Sequence, residues 1–155
     1  MKRVVIMMIT ALICELAFTC CSKCDCGEPF DVAMAFCFQR TSGWVNMDEN
    51  LKINVDTTYY SYHHGLSSVS YQTIATTSEE LWDFLIKNFD LKTFKKIKNN
   101  CNPDLFDAPV VSFSVITNGE TYSFYNGECD EHFIQMQDFF DAIMEQVAVF
   151  RDEIK

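Results

Sequence analysis

Val110–Glu128 reads VVSFSVITNGETYSFYNGE. Two β-prone runs flank Asn118-Gly119, a dipeptide suited to a type I′ turn because both central residues must adopt positive φ. Val111, Phe113 and Val115 alternate with Val110, Ser112, Ser114 and Ile116. On the return run Tyr122 and Phe124 alternate with Thr121, Ser123 and Tyr125. This predicts a hairpin with one apolar face, as in an antiparallel sheet packed on helices. Asn126-Gly127 stops the second run.

Working outward, Glu131–Ile154 places Phe133, Met136, Phe140, Ile143, Val147, Phe150 and Ile154 on one helical stripe, long enough to cross a sheet. Upstream, Thr77-Ser78-Glu79-Glu80 reads as a capping box, with Thr77 as the cap and Glu80 reaching back. The helix it opens carries Leu81, Phe84, Leu85 and Asn88 on one side. Leu91–Asn99 reads as a second short helix burying Phe94 and Ile97, and Asn100–Pro109 as a loop.

Before the helices the pattern changes period. Over Val32–Gln39, Val32, Met34, Phe36 and Phe38 alternate with Ala33, Ala35, Cys37 and Gln39, which is a strand with a buried face. Arg40–Gly43 reads as a turn, followed by a polar loop and a strand through Leu51, Ile53 and Val55. Tyr59–Tyr62 and Ser68–Ile74 are further β-prone runs around His63-His64-Gly65. Strands, helices, hairpin and helix in that order predict an α+β fold: a mainly antiparallel sheet with helices packed on one face and a long C-terminal helix.

The chain has 155 residues and a formal net charge of −10. Nucleic-acid partners need clustered Lys and Arg, and only Lys92–Lys98 offers a short basic run, so nucleic acid is excluded as a partner. Lys2-Arg3 followed by the apolar Val4–Cys14 fits a secretory leader, since a bilayer span needs ~20 residues. Phe18-Thr19-Cys20-Cys21-Ser22 then resembles a bacterial lipobox, in the style of Bacteroidetes envelope lipoproteins. That resemblance implies diacylation of Cys21 and a membrane partner through the lipid. Ser22 implies sorting to the outer membrane. A cleaved leader and a secreted protein is the other reading. The expected organisation is a signal peptide over 1–20, a linker over 21–30 and one α+β domain over 31–155.

In an exported protein, cysteines invite disulfides. Cys101 and Cys129 lie just outside the two ends of the hairpin and are candidates to pair, worth ~3–4 kcal/mol in the loop-entropy picture. Connectivity is not readable from sequence. Cys24 and Cys26 with His63-His64 offer thiolate and imidazole donors, but their spacing matches no closed zinc pattern, so no metal or other cofactor is assigned. No Gly-x-Ser-x-Gly elbow is present, and no catalytic residue is assigned. The acidic pairs Glu79-Glu80 and Asp130-Glu131 sit at helix starts, where they complement the helix dipole. Tyr59, Tyr60, Tyr62 and Tyr71 serve either as an exposed platform or as cross-strand sheet pairs. Trp44, which follows a turn, is the best exposed aromatic.

The order of elements resembles the emfourin family of small protease-inhibitor-like bacterial proteins. The resemblance runs over Val32–Val147. It rests on the Arg40-Thr41-Ser42-Gly43 turn, the strand Leu51–Val55, the capped helix with Trp82, the segment around Phe94, Pro103-Asp104, the Asn118-Gly119 turn and the last helix. The family's double glycine is Ser42-Gly43 here, and no inhibitory residue carries over. The resemblance implies a non-enzymatic, protein-binding module whose partner is a protease or another envelope protein. Loops Arg40–Asn50 and His63–Ser68, with Arg40, Trp44, His63 and His64, would make the contacts. A metal-binding or enzymatic envelope protein, and a purely structural envelope lipoprotein, are the alternatives.

Overall fold

A computed structural model describes residues 34–100 and 109–154. Six strands form one sheet: β1 (Met34–Ser42), β2 (Met47–Asn54), β3 (Thr57–His64), β4 (Val69–Thr76), β5 (Val110–Thr117) and β6 (Glu120–Tyr125). The spatial order is β4-β3-β2-β1-β5-β6, and every neighbouring pair is antiparallel. Among the described residues the helices are α1 (Glu79–Asn88), α2 (Leu91–Phe94), α3 (Glu131–Gln135) and α4 (Gln137–Asp152). The fold is α+β with a C-terminal helix, as the periodicities predict.

The hairpin forms at the expected turn, with Asn118 at φ 52° and Gly119 at φ 75°. Asn126 then closes its open end: its Oδ1 accepts from the Val111 amide at 2.9 Å, and its own amide donates to the Val111 carbonyl at 2.8 Å.

One face of the sheet is apolar. Phe36, Phe38, Leu51, Ile53, Tyr60, Phe113, Val115 and Phe124 meet Leu85, Phe94, Phe133, Phe139, Phe140, Ile143, Val147 and Phe150 from the helices in a single core. Much of this core is aromatic. The Phe113 and Phe140 rings meet edge-on at 4.8 Å between centroids, and Phe36 meets Phe139 edge-on at 5.0 Å. Such pairs contribute about 0.5–1.5 kcal/mol each beyond the area they bury. The other face is polar. In register across all six strands it reads Gln72, Ser61, Asn50, Gln39, Ser112 and Tyr125.

Five local expectations are corrected. Residues 40–42 continue β1, and β2 begins at Met47, so the predicted polar loop is mostly strand. Strand β2 ends at Asn54, whose Oδ1 accepts from the amides of Asp56 and Thr57, and this Asx turn leaves Val55 outside the strand and exposed. The N-cap of α1 is Ser78, whose Oγ accepts from Leu81, while Thr77 is buried with its hydroxyl 2.9 Å from that of Thr58. The C-terminal stripe is divided at Met136, and Leu91–Asn99 is helical only over α2. Phe139, three residues after Met136 and four before Ile143, is buried beside Phe140 and widens the apolar stripe of α4.

Candidate functional site

Two turns meet at one end of the sheet. The β1–β2 turn spans residues 43–46 and the β3–β4 turn residues 65–68. Each ends on a residue at positive φ, Asn46 at 46° and Ser68 at 53°. The Gly65 amide donates to the Asn46 carbonyl at 3.0 Å, locking the turns together. A Cβ at Gly65 would lie 2.5 Å from Asn46 Nδ2, so this approach requires glycine. The locked turns hold Trp44 and Leu66 in the open, 80% and 73% exposed.

The turn end is backed by a buried ionic cluster. Glu49 is 0% exposed. Its Oε1 accepts from the Tyr60 hydroxyl at 2.7 Å and from Arg151 Nε and Nη2 at 2.9 and 2.7 Å. Its Oε2 accepts from Arg151 Nη2 at 2.7 Å and pairs with Arg40 Nη2 at 2.6 Å. This explains why the polar run Asp48-Glu49-Asn50 is a strand. The Glu49 charge is neutralised from both sides, and its neighbours point to the polar face. Burial pushes the Tyr60 hydroxyl far above the ordinary tyrosine range, and its hydrogen bond to Glu49 and that group's charge add to the shift. Burial alone would lower Arg151, but the bonds and charge of Glu49 outweigh it and hold the guanidinium more firmly protonated.

Of the predicted contact residues, Trp44 is where it was expected. Arg40 is not: it lies on β1 with its guanidinium engaged by Glu49. His63 and His64 are consecutive on β3 and so face opposite sides of the sheet. His64 Nδ1 accepts from the Ser67 amide at 3.3 Å and lies 3.0 Å from Ser67 Oγ, which serves the turn. His63 Nδ1 lies 2.9 Å from Ser70 Oγ on the polar face. The strand therefore does not present the two imidazoles to one ion, and among the described residues no group of three His, Cys, Asp or Glu side chains is placed to hold a metal. Tyr60 is core, while Tyr62 and Tyr71 pack against the core, which favours the sheet-pair reading of these tyrosines over the platform.

Asp48, His63 and Ser70 stand in register on adjacent strands and line a shallow polar depression of about 270 Å³. Gln39 Nε2 donates to Asp48 Oδ1 at 3.4 Å. Leu66 falls within the loop His63–Ser68 assigned to contacts but is not singled out by sequence, and Asp48, His63 and Ser70 are not read there as one row. An apolar residue between Gly65 and Ser67 in a turn was the available signal for Leu66; the row becomes visible only with strand register.

Cys129 is disulfide-bonded. Cys101, its candidate partner, lies outside the described residues, as do Cys21, Cys24, Cys26 and the predicted signal peptide and linker. Cys37, read as a small buried side chain, is half-buried on β1. Among the described residues no helix is long and apolar enough to cross a membrane.

The chain matches no protein-family model and no curated protein.

Proposed function

We propose that this protein is a non-catalytic protein-binding module of the bacterial cell envelope, held at the membrane by a lipid on Cys21. The observation that carries the reading is the locked turn pair. Two large apolar side chains, Trp44 and Leu66, are held almost fully in solvent on a backbone that is hydrogen-bonded turn to turn. Isolated exposed apolar residues are ordinary, but a Trp and a Leu on rigid adjoining turns provide anchor area at low ordering cost. A protruding, preorganised turn also suits insertion into the cleft of a protease, the inhibitor-like form of this reading that the emfourin resemblance suggests.

The test is a photo-crosslinking residue at position 44 of the full chain in its own envelope. A single protein partner should be captured there and not from a control site at Glu128. Trp44→Ala should weaken binding of that partner by about tenfold or more, with an unchanged circular dichroism spectrum. Unchanged binding removes the turn pair as the contact. The mass of the N-terminal peptide reports the lipid on Cys21 independently.

The row Asp48, His63 and Ser70 favours a second reading, a hydrolase with Ser70 as nucleophile and His63 as its base. A fluorophosphonate probe that labels Ser70 would support it, and absence of labelling would sink it.

A further inference from the structure

Helices α1 and α4 leave a groove of about 430 Å³ between them, which shares no residue with the turn pair. Leu81 and Phe84 from α1 and Ala142 from α4 give it apolar walls. The sequence pattern assigns Phe84 to the buried side of α1, beside Leu85. Instead Leu85 is fully buried and Phe84 is 43% exposed. The α4 wall is the stripe Asp138, Asp141, Ala142, Glu145 and Gln146, a run of about 12 Å at the helical rise. Asp138, Asp141 and Glu145, with Glu80 across the groove, are exposed carboxylates. No Lys or Arg lines the groove, and none of the four carboxylates forms an ion pair with a described residue.

We propose that this groove is a second docking site, and that its occupant is a basic amphipathic helix of a partner protein. Charge complementarity selects the occupant. A chain of net charge −10 repels a second copy of itself from a carboxylate-rimmed groove and attracts a cationic segment. The apolar walls select an apolar face on that segment. The gap between two helices is the shape into which the side-chain ridges of a third one pack. Lys or Arg stems would lie along Phe84 with their charged ends at the rim, an arrangement that also gains from cation attraction to the ring.

The experiment uses a labelled synthetic helix with Leu on one face and Lys on the other, titrated against the full chain by fluorescence anisotropy. Binding is expected, and it should weaken steeply with added salt. Asp141→Lys with Glu145→Lys should weaken it by about tenfold or more, and Phe84→Ala by about fivefold. Glu128→Lys with Asp152→Lys, the same charge change away from the groove, should leave it within about twofold. All five positions are exposed, and circular dichroism verifies that each variant is folded. A peptide with Ser in place of Leu should bind far more weakly. Three results would overturn the proposal: no binding, equal losses in the groove pair and the control pair, or undiminished binding of the Ser peptide. The last two would mean a diffuse attraction between opposite charges.

Discussion

Replacing Glu49 with Gln should destabilise the domain without disturbing its surface. Glu49 is 0% exposed, and its two oxygens receive every hydrogen bond that joins β2 to Arg151, Arg40 and the Tyr60 hydroxyl. Gln removes the negative charge and turns one acceptor into an –NH₂ group that faces guanidinium donors. Breaking a fully buried pair from one side costs about 3–5 kcal/mol. Here Arg151 and Arg40 are 39% and 23% exposed and can recover part of their hydration, which lowers the expected loss to about 2–3 kcal/mol. For a domain of this size that is a fall in Tm of about 6–15 °C. Urea unfolding followed by tryptophan fluorescence measures it, because Trp82 packs against Phe36 in the core. Arg151→Met alone should also cost stability, while Glu49→Met with Arg151→Met should cost less than the sum, since Glu49 and Arg151 no longer leave each other unpaired and only Arg40 loses its countercharge. If Glu49→Gln unfolds within about 0.5 kcal/mol of the parent chain, the cluster is not a stabilising pair and the reasoning fails.

Three further outcomes follow from the same geometry. Asp130 caps α3 by accepting from His132; burial works to raise its pKa, but the His132 and Lys98 bonds outweigh this and hold it below the usual carboxylate range. Its stabilising contribution is therefore complete above the unfolded-state value of about 3.9 and is lost as pH falls through the lower folded value. Asp130→Asn should flatten that acid limb in urea midpoints compared at pH 7 and pH 3, and an unchanged limb would exclude Asp130 as its source. Gly127→Ala should cost about 1–3 kcal/mol in urea unfolding, because the new Cβ would lie 2.7 Å from Phe124 Cδ2 and 2.8 Å from Ile97 Cγ2. Gly43→Ala, with nothing within 4 Å of its new Cβ, should be neutral or slightly stabilising; equal losses at both glycines would contradict the packing argument. Tyr60, its hydroxyl pushed up by burial and by Glu49, should ionise only late in an alkaline titration read at the phenolate band; Tyr60→Phe should remove that late component, and its persistence would refute the assignment.

The hairpin was legible because Asn118-Gly119 admits few backbone conformations and its flanks alternate strictly. The core face of the sheet was legible for the same reason at Phe36, Phe38, Phe113 and Phe124. The reading failed where tertiary contacts override local chemistry. Asp48-Glu49-Asn50 looks like a loop until Arg151, more than a hundred positions away, supplies the countercharge. Thr77 and Ser78 are both good caps, and only the hydroxyl contact of Thr77 with Thr58 assigns the role to Ser78. Phe84 and Leu85 are equally apolar, and the helical period alone does not fix which of them α1 turns inward. At the candidate site, Trp44 was visible as an aromatic after a turn. Leu66 and the clasp between the turns depend on β1–β2 and β3–β4 ending at the same place, which needs the strand register.

Strand β1 lies inside the sheet, bonded to β2 on one side and β5 on the other, and it is the first described element of the chain. A pull applied through the segment before Met34 is therefore taken up by an interior strand. An edge strand would meet such a pull with a single ladder. β1 is instead held by two ladders whose bonds run across the strand, so tension along it loads them in shear and together. Phe36 and Phe38, buried to 1% exposure, would have to be drawn out of the core in the same motion. A domain threaded in this way resists extraction from its N-terminal side better than from the β4 edge.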